Sequence, residues 1–116
     1  MPRTALFIVN SDPRTSPRPA EAIRIAAGVG AWKKVEVTLV LCEAAVLALR
    51  EFPDELVDED NFSRYLPILR EWGRPVYVET GAPLLQDLGE TPVRFERIGI
   101  PQLAALAAAS DCVLRF

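Results

Sequence analysis

The chain has 116 residues, 50% of them hydrophobic, and 13 basic against 16 acidic side chains give a formal charge of -3. This length and apolar content suit one domain, while the slight acidic excess gives no reason to expect nucleic acid or an anionic membrane as a partner. Histidine is absent from the sequence, which excludes Ser/His/Asp and Cys/His catalysis and leaves a zinc site only two cysteines and carboxylates. We therefore predict neither a metal site nor a cofactor.

The sequence shows no pattern typical of secretion or of a membrane span. An apolar run starts directly after Arg3 and lacks the pattern of a signal peptide. The longest apolar runs are shorter than the about 20 residues that cross a bilayer. Two cysteines do not make a disulfide framework. We expect a cytoplasmic protein with reduced thiols and no membrane association.

Strands and helices alternate along the first half of the chain. Residues 4–10 form an uninterrupted apolar run, which is typical of a strand that is covered on both faces. Residues 11–19 contain three prolines and are predicted to form a loop. Apolar residues at helical spacing predict a helix over 20–33, and the β-branched run at 35–41 predicts a second strand. A helical run over 43–50 follows it directly.

The second half continues this alternation after an acidic segment at 52–60, which we interpret as a solvated loop. Pro67 is expected to bend the helix that contains it, and the polar–apolar alternation at 93–97 predicts an edge strand. Five strands that alternate with helices predict a single three-layer α/β/α domain over residues 1–116, built around a five-stranded parallel sheet. The elements predicted in this half are a helix over 62–72 ending near Gly73, a strand over 75–79, a brief helix within 81–88, a strand over 93–97, a helix over 101–109 and a strand over 112–116.

Polar side chains follow the first three predicted strands. Ligands of open parallel sheets bind beyond the carboxyl ends of the strands, where Asn10 and Ser11 follow the first strand and Cys42 follows the second. Glu79 and Thr80 end the third strand. We predict that these residues share one rim, with Asn10, Ser11 and Thr80 contacting a ligand and Glu79 acting as a base or hydrogen-bond acceptor. The alternative for Thr80 is a helix cap.

The two cysteines receive different interpretations. Cys42 lies where a strand passes into a helix N-terminus, which would lower the pKa of its thiol and make it a candidate catalytic residue. The alternative, which we favour, is a packing cysteine whose ionisation is opposed by Glu43. Cys112 opens the last predicted strand, at the opposite edge, and is expected to be a small buried hydrophobe. A strand of six residues spans about 20 Å, so the two thiols should not form a disulfide.

The loop after the first strand suits an anion or a nucleotide. Ser11, Arg14, Thr15 and Arg18 supply hydroxyls and guanidinium groups just before a predicted helix N-terminus. The loop has no glycine, so neither a Walker loop nor a dinucleotide fingerprint is present. An ordinary surface loop is the favoured interpretation.

Several segments together resemble the DsrE/DsrF-like family of small sulfur-relay proteins. The resemblance implies a three-layer α/β/α domain with a five-stranded parallel sheet. It also implies a homo-oligomer, usually a trimer or hexamer, whose active members carry persulfide sulfur on a cysteine. The segments that carry the resemblance are Ala5-Leu-Phe-Ile-Val-Asn10, Ala22-Ile-Arg-Ile-Ala-Ala-Gly28, Val35-Glu-Val-Thr-Leu-Val-Leu41 and Ser110-Asp-Cys-Val-Leu-Arg-Phe116.

The chain departs from that family at its best-known residue. The family's cysteine lies just after the third strand, and residues 75–83 here read Pro-Val-Tyr-Val-Glu-Thr-Gly-Ala-Pro, without a cysteine. Only a thiolate can take up and carry sulfane sulfur. The expected function is therefore a DsrE-like subunit or interaction module, with a protein partner possible. A sulfur carrier using Cys42 and an anion- or nucleotide-binding protein are the alternatives, and whether the chain is an enzyme stays open. The large side chains from which we expect a subunit interface to be built are Phe52, Phe62, Tyr65 and Trp72.

Overall fold

Five strands form one parallel sheet in the computed structural model of the chain, which describes residues 3–31, 34–50, 53–71, 76–82 and 84–116. The strands are β1 (Arg3–Val9), β2 (Val35–Leu41), β3 (Val76–Glu79), β4 (Phe95–Ile98) and β5 (Cys112–Arg115). Their order is β4-β3-β2-β1-β5, and every neighbouring pair is parallel. β1 pairs with β2 over its whole length, from Arg3 opposite Val35 to Val9 opposite Leu41. The continuous apolar runs are explained by this central position, because both faces of β1 and β2 are covered.

Helices α1 (Arg18–Gly30) and α2 (Glu59–Glu71) pack on one face of the sheet, together with a 3₁₀ helix, Glu43–Leu49. A second 3₁₀ helix, Leu85–Asp87, precedes β4. α1 forms because small apolar residues recur at helical spacing and Pro19 lies in the first turn, where its missing N–H is harmless. The main core lies between this layer and the sheet and contains the fully buried Phe7 and Phe62.

The opposite face carries α3 (Ile100–Ala109). Leu103 and Leu106 of this helix pack against Leu6 and Ile8 of β1. Because parallel crossovers are right-handed, connections that step from β1 towards β4 lie on one face, and the return from β4 to β5 places α3 on the other. The predicted three-layer α/β/α fold with a five-stranded parallel sheet is confirmed. None of the helices in the described part of the chain is long and apolar enough to span a membrane.

The helices differ from the sequence prediction in their bounds. α1 starts at Arg18, two residues before the predicted start at position 20. The helical run predicted over 43–50 is a 3₁₀ helix, which starts with Glu43 at a φ of 53°. α2 starts at Glu59, three residues before the predicted start at position 62, and it contains Pro67. Glu59 and Asp60, assigned to a loop from the sequence, occupy the first turn, where negative charge is favourable. The predicted helix end at Gly73 lies outside the described residues.

Two of the four aromatic side chains expected at a subunit interface, Phe62 and Tyr65, lie within the described residues. Phe62 has no exposed area, so it belongs to the core of the single chain. Tyr65 is half-buried and packs against the same core. Phe52 and Trp72 lie outside the described residues. The expectation of an interface built on Phe62 was therefore wrong, because α2 turns that side chain towards the sheet.

Candidate functional site

A cavity of about 310 Å³ lies between α3 and the carboxyl ends of the strands. Its apolar wall includes Ile8 of β1 and Ile100 and Leu103 of α3. A larger hollow of about 390 Å³, on the other side of α3 beside β4, contains fewer ionisable groups. We take the smaller cavity as the candidate site because it gathers chemically capable side chains from four strand ends. Those polar side chains are Asn10, Cys42, Glu43, Glu79 and Arg115.

Three of the residues selected from the sequence meet in this cavity. Asn10, Cys42 and Glu79 follow or end β1, β2 and β3 and line the same space. The backbone fixes their positions, because the Cys42 amide donates a 2.8 Å hydrogen bond to the Val9 carbonyl and prolongs the β1–β2 pairing by one residue. In the same way, the Asn10 amide donates at 3.0 Å to the carbonyl of Phe116, which follows β5. The carboxyl ends of neighbouring strands thus form one rim.

The Cys42 thiol is buried and protonated at neutral pH. The residue is 4% exposed. Burial first, and then the nearby Glu79 and Glu43 carboxylates, raise the pKa of the thiol to about 11, with Arg115 opposing them. Burial and the two carboxylates therefore outweigh any effect of the 3₁₀ helix that follows, and the structure favours the packing interpretation.

The remaining predicted ligand-binding residues lie outside the cavity lining. Arg14 donates from Nε and Nη2 to the carboxylate of Asp12, at 3.0 and 2.8 Å, and its backbone amide donates to the same side chain at 2.9 Å. The Arg14 guanidinium holds the pKa of Asp12 below its usual value. The hydroxyl of Thr80 donates at 3.0 Å to the carbonyl of Ile98 and fastens the end of β3 to the end of β4. Ser11, half-buried after β1, is also absent from the lining.

Arg115 is the cavity residue that the sequence prediction missed. It is paired in register with Ile8 of β1, and its side chain lines the cavity from the β5 side. A parallel strand next to β1 brings its carboxyl end to the same rim as Asn10. A charged residue at the end of the last apolar strand could have indicated this role. The inference would also have required the knowledge that β5 pairs with β1.

Cys112 is exposed, whereas the sequence led us to expect a buried residue. It lies opposite Ala5 on β5, an edge strand whose four residues are all exposed. Both cysteines are free thiols, and they stand near opposite ends of the strands as predicted. Within the described ranges, no group of three or more Cys, Asp or Glu side chains is arranged to hold a metal ion.

Comparison with known proteins supports the fold. No protein-family model matches the sequence, and no curated protein sequence matches it significantly. The fold is similar to that in the crystal structure of the YchN protein from E. coli, with a TM-score of 0.76 and 20% sequence identity over 98% of this chain and 99% of that chain. At this identity the likeness concerns the fold alone. The shared fold agrees with the three-layer α/β/α architecture that the sequence resemblance implies.

Proposed function

We propose that this chain is a DsrE-like protein related to sulfur relay, and that it works as a homo-oligomeric subunit or interaction module rather than as a carrier of sulfur. The observation that carries this proposal is the surface of α3. The helix is apolar throughout except for Gln102, yet it has no buried residue in the single chain. Helices that are hydrophobic on all sides are normally buried.

The exposed side of α3 carries one polar side chain, that of Gln102. The side chain of Gln102 accepts a 2.7 Å hydrogen bond from the Gly99 amide and so caps the start of the helix. Ile100 is 63% exposed. We call the outward group Ile100, Ala104, Ala105 and Ala108 the α3 surface. Continuous apolar surfaces of this kind mark sites of protein association.

A second copy of the chain fits this surface for two reasons. Alanine side chains let another helix approach closely, and a two-fold axis would bring the same residues of both copies together. The neighbouring edge strand β5 lacks the lysine or proline with which exposed edges are usually protected. Its Val113 and Leu114 are 36% and 43% exposed. One interface between copies would therefore cover both features.

The two alternatives have weaker support. A sulfur carrier on Cys42 needs a thiolate, whereas the buried thiol has a pKa of about 11. Cyanide-releasable sulfur that is present on the wild type and lost from Cys42→Ser would establish that function. An anion site on the loop after β1 needs a free guanidinium, whereas that of Arg14 is bound to Asp12. A rise in melting temperature with phosphates or nucleotides would support it.

The proposal is tested by placing a charge on the α3 surface. Ala105→Glu puts a carboxylate on the exposed side of α3, and Ala31→Glu makes the same change at an exposed alanine that follows α1. By size-exclusion chromatography with light scattering, we expect the wild type and Ala31→Glu to have a multiple of the 12.8 kDa chain mass and Ala105→Glu to be smaller. A monomeric wild type, or equal masses for all three proteins, would overturn the proposal.

A further inference from the structure

Acidic and basic side chains line the cavity at the carboxyl ends of the strands without forming ion pairs with one another. Glu43 and Glu79 supply carboxylates, and Arg115 supplies a guanidinium. Within the described part of the chain, ion pairs shorter than 4.0 Å join other residues and none includes these three. This contrasts with Arg14, whose guanidinium is bound to Asp12 at 2.8 Å. The charges at the rim are therefore available to a ligand.

The acidic and basic groups approach the cavity from opposite sides. Glu79 ends β3 and Arg115 ends β5, and β2 and β1 lie between those two strands. Three strand spacings of about 4.8 Å separate their backbones by roughly 14 Å. Both residues nevertheless line the same cavity as Cys42. Both charged groups thus reach the space above Cys42 from its two sides.

Apart from Asn10 and Cys42, the rest of the lining is apolar. Ile8 forms part of one wall, and Ile100 and Leu103 of α3 form part of another. The volume of about 310 Å³ falls at the lower end of the range of about 300–1,000 Å³ for small-molecule sites. A simple anion would meet two carboxylates, and a simple cation would meet the guanidinium. A ligand with both charges and an aliphatic group would match the whole lining.

We propose that this cavity binds a zwitterionic small molecule with an apolar side chain, of the α-amino-acid class. The ammonium group of the ligand pairs with Glu79, its carboxylate pairs with Arg115, and its aliphatic chain lies against Ile8 and Leu103. Glu43 adds negative potential on the ammonium side. This inference goes beyond the proposed assembly. All of these groups belong to one copy of the chain, although Arg115 lies on β5, which the proposed interface would also cover.

Three related compounds distinguish binding of a zwitterion from binding of a molecule with a single charged group. L-Leucine carries both charges, isoamylamine is leucine without its carboxylate, and 4-methylpentanoate is leucine without its ammonium group. All three are added to the full chain at equal concentrations up to the solubility limit of leucine, and thermal unfolding is followed. We expect leucine to raise the melting temperature, by about 5–10 °C when its concentration is a hundred times its dissociation constant. The two single-charge analogues should give a much smaller rise.

Charge-removing variants test the roles of the two residues. Glu79→Gln and Arg115→Gln should each abolish the response to leucine. Glu90→Gln and Arg94→Gln remove exposed charges outside the cavity lining and should keep the full response. No shift with leucine, an equal shift with either single-charge analogue, or a leucine shift that survives in both cavity variants would overturn the proposal. The comparison of the three compounds on the wild type tests zwitterion binding even if a variant does not fold.

Discussion

Thr4 and Asp111, which lie 107 positions apart, exchange hydrogen bonds where β1 and β5 begin. The Thr4 amide donates at 2.7 Å to Oδ2 of Asp111, and the Asp111 amide donates at 3.0 Å to both the hydroxyl and the carbonyl of Thr4. Within the described sheet, β5 pairs with one strand, β1. These hydrogen bonds therefore attach the first residues of β5 to the sheet. The position of the exposed edge, and of Arg115 at its far end, depends on that attachment.

Asp111→Ala is expected to lower the free energy of unfolding by about 1–2 kcal/mol, because it leaves the Thr4 amide without its charged acceptor. Urea unfolding gives this value directly, and hydrogen exchange should show the loss concentrated in β5. Asp111→Asn keeps an acceptor oxygen and should lose less than half as much. If the alanine variant were as stable as the wild type, the exchange would not hold the strand in place.

The Cys42 thiol should make stability depend on alkaline pH. Its pKa is raised from 9.0 to about 11 in the folded chain, first by burial and then by Glu79 and Glu43. The folded chain therefore holds the thiol proton more tightly than the unfolded chain does. This contribution is fully present below pH 9 and is lost between pH 9 and 11, on the order of 2 kcal/mol in total.

Urea unfolding at pH 8, 9.5 and 11 tests this dependence, with Cys42→Ala as the comparison. The variant lacks the thiol but keeps every other titrating side chain. The wild type should lose more stability than the variant as the pH rises. Parallel losses in both proteins would show that the thiol titrates normally in the folded chain.

Glu79→Gln should make Cys42 more reactive. Burial is the larger cause of the raised pKa and is unchanged by this substitution, but the Glu79 carboxylate also contributes and is removed. We expect alkylation of Cys42 by iodoacetamide at pH 8 to become severalfold faster, as measured by mass spectrometry of the modified peptide. Glu96→Gln, which removes an exposed carboxylate on the neighbouring strand β4, should leave the rate unchanged. Equal rates for the wild type and Glu79→Gln would contradict the electrostatic coupling.

The sequence contained enough information for the layers of the fold. The apolar runs at 4–10 and 35–41 predicted central strands because only a strand covered on both faces lacks polar alternation. Parallel direction then implied that Asn10, Cys42 and Glu79 follow strand ends on one rim, which is where the structure places them. These inferences needed only local pattern and the handedness of the connections.

Strand order was the information that the sequence did not supply. Arg115 reaches the cavity, and Cys112 is exposed, because β5 pairs with β1 and occupies an edge. The ionisation of Cys42 likewise depends first on burial and then on Glu79, which is distant in sequence, with a further contribution from the adjacent Glu43. The position of Arg115, the exposure of Cys112 and the ionisation of Cys42 therefore depend on long-range packing, which the local sequence pattern does not predict.

Sedimentation equilibrium of the wild-type chain tests most directly whether a second copy covers α3. The apolar and uncovered α3 predicts a mass of at least two chains of 12.8 kDa each, with dissociation only on dilution. A single species of 12.8 kDa at every concentration, including the highest attainable, would contradict the proposed assembly.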